Sequence, residues 1–85
     1  MSYFVMHSVI LTELGIAVFD EQKCLKAFPF ENPAEDFVFV KKGKSRLSEL
    51  GKFLTNFEII SVNDRAILDI LKKKSIEAQL MDSQE

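Results

Sequence analysis

The stretch 15–43, GIAVFDEQKCLKAFPFENPAEDFVFVKKG, constrains the fold most, because two strands, a hairpin turn and a capped helix follow one another without a spare residue. Residues 16–19 are β-branched, small or aromatic and read as a strand. Asp20-Glu21-Gln22-Lys23 is short and polar enough for a hairpin loop, and 24–30 returns as the next strand. There Leu25, Ala27 and Pro29 alternate with Lys26, Phe28 and Phe30. Pro29 has no N–H to donate, so this strand lies at a sheet edge or ends there. Asn32-Pro33 then opens a helix, an N-cap side chain followed by proline at the first helical position. Glu35 and Asp36 in the first turn and Lys41 and Lys42 in the last suit the helix dipole, and Gly43 supplies a C-terminal cap. The run Phe37-Val38-Phe39-Val40 has strand-like composition, but the caps at both ends decide for helix. Every polar residue in the stretch serves a turn, a cap or a solvated face. What remains is apolar surface beyond what a short chain covers, which points to docking rather than catalysis.

The flanks complete a mixed sheet. In 3–11 both alternating sets are apolar, as in a strand covered on both faces. Residues 12–15 form a turn in which Gly15 is free to take positive φ. A second helix is expected from Ser45, with Leu47, Leu50, Leu54 and Phe57 on one face. Residues 58–62 are a β-branched strand, and Asn63 is the expected N-cap of a third helix with Asp64 in its first turn. Ala66, Ile67, Ile70 and Leu71 make its inner stripe, Lys72-Lys73-Lys74 complement its C-terminal dipole, and 76–80 alternate as a last strand. The domain is expected to span 1–81, with 82–85 the start of a linker. The expected class is α+β or α/β: a mixed five-stranded sheet with elements β-β-β-α-α-β-α-β, three antiparallel strands followed by right-handed crossovers. That order resembles the topology of ribonuclease H.

Composition narrows the function. Eighty-five residues make one domain, and 47% hydrophobic with 28% charged residues is globular rather than disordered. A net charge of −2 leaves no global basic field for nucleic acid. The lone cysteine, Cys24, excludes an internal disulfide and suits a reducing compartment. The apolar start, 2–11, is interrupted by His7 and Ser8, is too short to span a bilayer and lacks a basic n-region. No membrane association is expected, and a cytoplasmic site (nucleolar in a eukaryote).

Candidate chemistry is sparse. His7 is the only histidine, and with one cysteine it makes no zinc set; a partly buried or edge-strand histidine is the expectation. A Cys24–His7 pair would lack a helix N-terminus to lower the thiol pKa, so Cys24 reads as a small core or edge residue. Glu13, Asp20, Glu21, Glu31, Glu35, Asp36, Glu49, Glu58, Asp64 and Asp69 fall at caps, turns and solvated faces. Ribonuclease H chemistry needs several carboxylates around two metal ions, with an essential acid near the middle of the first strand. The segment 2–11 contains none. A nuclease or nucleic-acid-binding domain of that topology is therefore the alternative reading. Three scattered glycines make no phosphate loop. No catalytic, metal or cofactor residue, and no cofactor, is expected.

Two surface features remain. The basic run Lys41-Lys42-Gly43-Lys44-Ser45-Arg46 suits RNA phosphates, yet lacks interleaved aromatics for base stacking; a solvated helix junction or an acidic protein partner is the competing reading. Eight phenylalanines are many for this length, and Phe28, Phe30, Phe37 and Phe39 lie within twelve positions. Phe37 is expected in the core, and the position of Phe39 follows if Phe37 and Val38 both face the sheet. Phe39, about 100–200° round the helix, and one of Phe28 or Phe30 read either as core or as interface.

The pattern GIAVFDEQKCLKAFPFENPAEDFVFVKKGK resembles the N-terminal domain of the archaeal Nop family, scaffold subunits of box C/D ribonucleoproteins. The shared features are G-x-x-A/V-F-D-E, a hydrophobic hairpin, a helix start containing phenylalanine and proline, and a K-K-G-like helix end. Gly15, Phe19, Asp20, Glu21, Phe30, Pro33 and Gly43 fill those places, and Glu49-Leu50 with the later strand, helix and strand continue the likeness to about Met81. The resemblance implies a non-catalytic domain that docks fibrillarin, the S-adenosylmethionine-dependent RNA 2′-O-methyltransferase, for guide-directed methylation. It further implies indirect engagement of guide RNA and a kink-turn-binding protein through coiled-coil and Nop domains, neither of which is in this sequence. The partner-binding residues expected from the surface argument are Phe28, Phe30, Phe39, Lys41, Lys42, Lys44 and Arg46.

Overall fold

The computed structural model describes residues 6–21 and 23–81. The chain runs β1 (Met6–Thr12), β2 (Gly15–Asp20), β3 (Lys23–Pro29), α1 (Pro33–Lys41), α2 (Ser48–Leu54), β4 (Ile59–Val62), α3 (Arg65–Lys73) and β5 (Gln79–Leu80). The strands form one mixed sheet in the order β3-β2-β1-β4-β5. β1, β2 and β3 are antiparallel neighbours, whereas β4 runs parallel to β1 and β5 parallel to β4. The architecture of the described residues is thus α+β, five strands with three helices. The first residues of the expected first strand, Gln22 of the hairpin loop and the expected linker lie outside the described residues.

Register decides what is buried. Val9 pairs with Val18 and with Val62, and Leu11 pairs with Ile16, so these side chains share one face. Against it pack Val40 of α1, Leu50 and Leu54 of α2, and Ile67, Ile70 and Leu71 of α3, all buried in one cluster. Each such side chain contributes about 2 kcal/mol relative to exposure. The other face carries Ser8, Ile10, Ala17 and Phe19, which are only half-buried. The expectation of a first strand covered on both faces is therefore corrected: one face is core and the other is partly open.

Local chemistry explains the turns. The Thr12 hydroxyl donates to Gly15 O at 2.9 Å and accepts from the N–H groups of Leu14 and Gly15 at 3.2 Å, closing the first hairpin. Gly15 (φ 156°) is also a close-approach site: a β-carbon there would stand 2.6 Å from Phe28 O and 2.7 Å from the Pro29 Cα. In β3 the pairs Val18–Lys26 and Phe19–Cys24 leave Leu25 as the extra residue of a bulge. β3 is a sheet edge and ends at Pro29, as that proline requires.

Three helix starts differ from expectation in detail. Asn32 stands at the N-cap of α1 without a side-chain cap bond; instead its N–H donates to Asp36 Oδ2 at 3.1 Å. α2 begins at Ser48, not Ser45, because Leu47 takes the left-handed conformation (φ 48°) and interrupts the helical path. Asp64, not Asn63, caps α3, its Oδ1 accepting from Ala66 N at 2.8 Å. Asn63 is occupied elsewhere: Leu11 N donates to its Oδ1 at 2.8 Å, and its Nδ2 donates to Leu11 O at 3.2 Å. Its side chain thereby continues the β1–β4 ladder past Val62. The C-terminus of α1 closes as foreseen. Gly43 (φ 72°) donates to Val40 O and Lys44 N to Phe39 O, both at 2.9 Å, which is a Schellman motif. β5 is two residues rather than five, and Ile76 and Ala78 pack on the core from irregular chain before it.

Candidate docking surface

α1 sets the surface. Its 3.6-residue period brings Phe37 and Val40 to the core side, Val40 being 1% exposed. Val38 and Phe39 turn outward, 44% and 51% exposed. Val38 thus departs from the inward position supposed for it beside Phe37, while Phe39 lies on the surface rather than in the core. β3 supplies the facing wall. Phe28 pairs with Ile16 on the core face of the sheet, and Phe30 is pinned just beyond the strand by its N–H donating to Leu14 O at 2.9 Å. Both rings are half-buried against the core and still form part of the surface.

Two hollows meet at these residues. One, about 440 Å³, lies between β3 and the start of α2, with Ile16, Phe28, Phe30, Leu47 and Leu50 as its apolar lining. The other, about 290 Å³, is lined by Phe30, Phe39, Val40 and Leu47, with Glu31, Asp36 and Ser45 as polar lining. Lys26, Ser48 and Glu49 are the polar lining of the first, and the two hollows adjoin at Pro29, Phe30 and Leu47, which line both; together they form the trough between β3 and α1. Leu47, which lines both hollows, takes the left-handed conformation at a cost of roughly 1 kcal/mol.

An aromatic chain leads from the trough wall back to β1. Phe28 meets Phe53 edge-on at 5.9 Å, Phe53 meets Phe57 at 5.2 Å, and Phe57 stacks on His7 at 3.8 Å. No local pattern marks Phe53 for this contact: α2 ends at Leu54, so its four-residue spacing to Phe57 is not a helical face. Lys26 Nζ lies 5.6 Å above the Phe28 ring. Lys44 and Arg46 are exposed on either side of Ser45, which lines the second hollow.

The basic run is split by the fold. Lys41 and Lys42 do not join the trough; they line a separate cleft with Lys72 and Lys73. Lys41 Nζ donates to Asp64 Oδ2 at 2.6 Å. Partial burial pushes the Asp64 carboxyl up, but the Lys41 hydrogen bond, the Ala66 N–H and the Lys41 charge outweigh it and hold it below its ordinary 3.8.

The remaining candidates are dispersed. His7 sits half-buried on the central strand rather than an edge, its Nδ1 without a hydrogen-bond partner among the described residues. Cys24 is exposed on β3, and β2 lies between it and β1, so about 10 Å of sheet separates it from His7. Among the described residues no group of three or more His, Cys, Asp or Glu side chains is placed to hold a metal ion. Nor, among them, is any helix long and apolar enough to cross a membrane.

Comparison with known proteins identifies no relative: no family model matches the chain, and no curated protein or solved structure does.

Proposed function

We propose that this chain is a non-catalytic docking domain whose β3–α1 trough seats a protein partner, and that the partner is a fibrillarin-type RNA 2′-O-methyltransferase. The observation that carries the reading is that Phe28, Phe30 and the 51%-exposed Phe39 line two adjoining hollows, Phe28 the first, Phe39 the second and Phe30 both. Aromatic side chains concentrate in interface centres because they bury large rigid area at small entropic cost. Lys44 and Arg46, on either side of Ser45, would meet acidic groups on the partner and steer encounter. The choice of partner rests on the Nop-like residues Gly15, Phe19, Asp20, Glu21, Phe30, Pro33 and Gly43. In that role guide RNA and a kink-turn-binding protein are engaged through other parts of a longer scaffold. We read the sheet as ribonuclease H-like in topology, used as a scaffold.

Calorimetric titration of the chain with the methyltransferase tests the proposal. One-to-one binding without RNA is expected, weakened about 30-fold by Phe39→Ala, as for a central hot-spot aromatic, with unchanged unfolding. Equal binding by the folded Phe39→Ala variant and the parent would refute the proposed surface.

A further inference from the structure

Two lysine segments thirty residues apart in sequence meet in space. The end of α1 contributes Lys41, Lys42 and Gly43 to a cleft of about 340 Å³, and α3 contributes Ala66, Asp69, Lys72 and Lys73. Four lysines face a single carboxylate there, in a chain whose net charge is −2. That carboxylate, Asp69, has Arg65 beside it at 3.9 Å, and Lys41 is tied to Asp64. Lys42, Lys72 and Lys73 take part in no ion pair among the described residues. Helix dipoles explain a cation at the end of each helix, but not the convergence of both ends on one cleft.

We infer that this cleft binds the phosphodiester backbone of a single nucleic-acid strand. Its lining is cationic, with no aromatic or large aliphatic side chain, so it can hold charge but cannot seat a base or an apolar anchor. A peptide groove would pair its charges with apolar pockets, which this cleft lacks. Its α3 side spans residues 66 to 73, about 10 Å by helical rise, and the reach of the flexible lysine stems lets Lys42, Lys72 and Lys73 each meet a successive phosphate of one strand. Lysines, as mobile point charges, suit such sequence-independent contact. This inference is independent of the methyltransferase reading, and its test uses no protein partner.

The experiment is fluorescence anisotropy of a labelled single-stranded oligoribonucleotide with the full chain over a potassium chloride series. Three lysine–phosphate contacts predict log K falling with log salt at a slope of about −2. Lys42→Gln/Lys72→Gln should reduce the slope to about −0.7, while Lys23→Gln/Lys26→Gln on β3 leaves it at about −2. Circular dichroism confirms that each variant is folded. An unchanged slope in the cleft variant, an equal loss in the β3 variant, or absence of salt-dependent binding by the parent would overturn the inference. So would displacement of the RNA by an oligoglutamate of equal charge at equal concentration, which would assign the cleft to acidic protein segments.

Discussion

A β-carbon at Gly15 would meet main-chain atoms of Phe28 and Pro29 at 2.6 and 2.7 Å, whereas one at Gly51 meets the Lys74 side chain at 3.0 Å. Backbone cannot yield as a lysine stem can. Gly15→Ala should therefore lower stability by about 2 kcal/mol or more in urea unfolding. Gly51→Ala should raise it by up to about 1 kcal/mol, since alanine is the better helix former and the Lys74 stem can swing aside. Asp64 carries a pH signature. Its folded carboxyl lies below its ordinary 3.8, so the unfolded chain takes up the proton first as pH falls. The charge contribution is full at neutral pH and is lost as pH drops through and below that value. Asp64→Asn keeps the capping oxygen, so the stability difference from the parent should shrink toward zero between pH 5 and about 2 in denaturation series. A constant difference would show that the Lys41 pair contributes nothing. Asn63 and Asp64 also mark the limit of local reading. Either residue can cap a helix, and only the pairing of β4 on β1, which brings Asn63 to Leu11, decides between them. Asn63→Ala should strand the N–H and C=O of Leu11 and cost about 1–3 kcal/mol.

At the level of elements, agreement was closest where caps and periodicity coincided. α1 was legible despite its β-branched and aromatic centre because Pro33, the acidic first turn and Gly43 bracket it. Gly43→Ala, forced to φ 72° with open space around it, tests that bracket through backbone strain alone. It should cost about 1 kcal/mol without altering the trough, as read by unfolding and by partner affinity. α2 starts three residues later than Ser45, whose chemistry suits a cap, because Leu47 obeys tertiary packing rather than propensity. β3 was recognisable as an edge from Pro29, but its bulge at Leu25 leaves no mark in the alternation. The bulge, Lys23, Lys26 and Pro29 together guard an edge that would otherwise invite another strand.

Across the whole molecule, the distribution of the basic run shows what sequence order conceals. Six consecutive positions, 41–46, diverge at Gly43, so Lys41 and Lys42 line a cleft with α3 while Ser45, between the exposed Lys44 and Arg46, lines the aromatic trough. The aromatic half of the candidate site was readable from Phe28, Phe30 and Phe39. Leu47, which lines both hollows, and Phe53, which meets Phe28, were not, because their roles arise only when α2 packs on β3. The two surfaces separate their tests: changes at Phe39 act on protein docking, and changes at Lys42 and Lys72 act on nucleic acid. The most direct test of the docking account is hydrogen exchange of the chain, free and saturated with a fibrillarin-type methyltransferase. Slower exchange concentrated in 26–31, 36–40 and 44–50 is the predicted result. A complex that instead protects β1 and β2 and leaves those segments unchanged, or no complex with a folded chain, would contradict it.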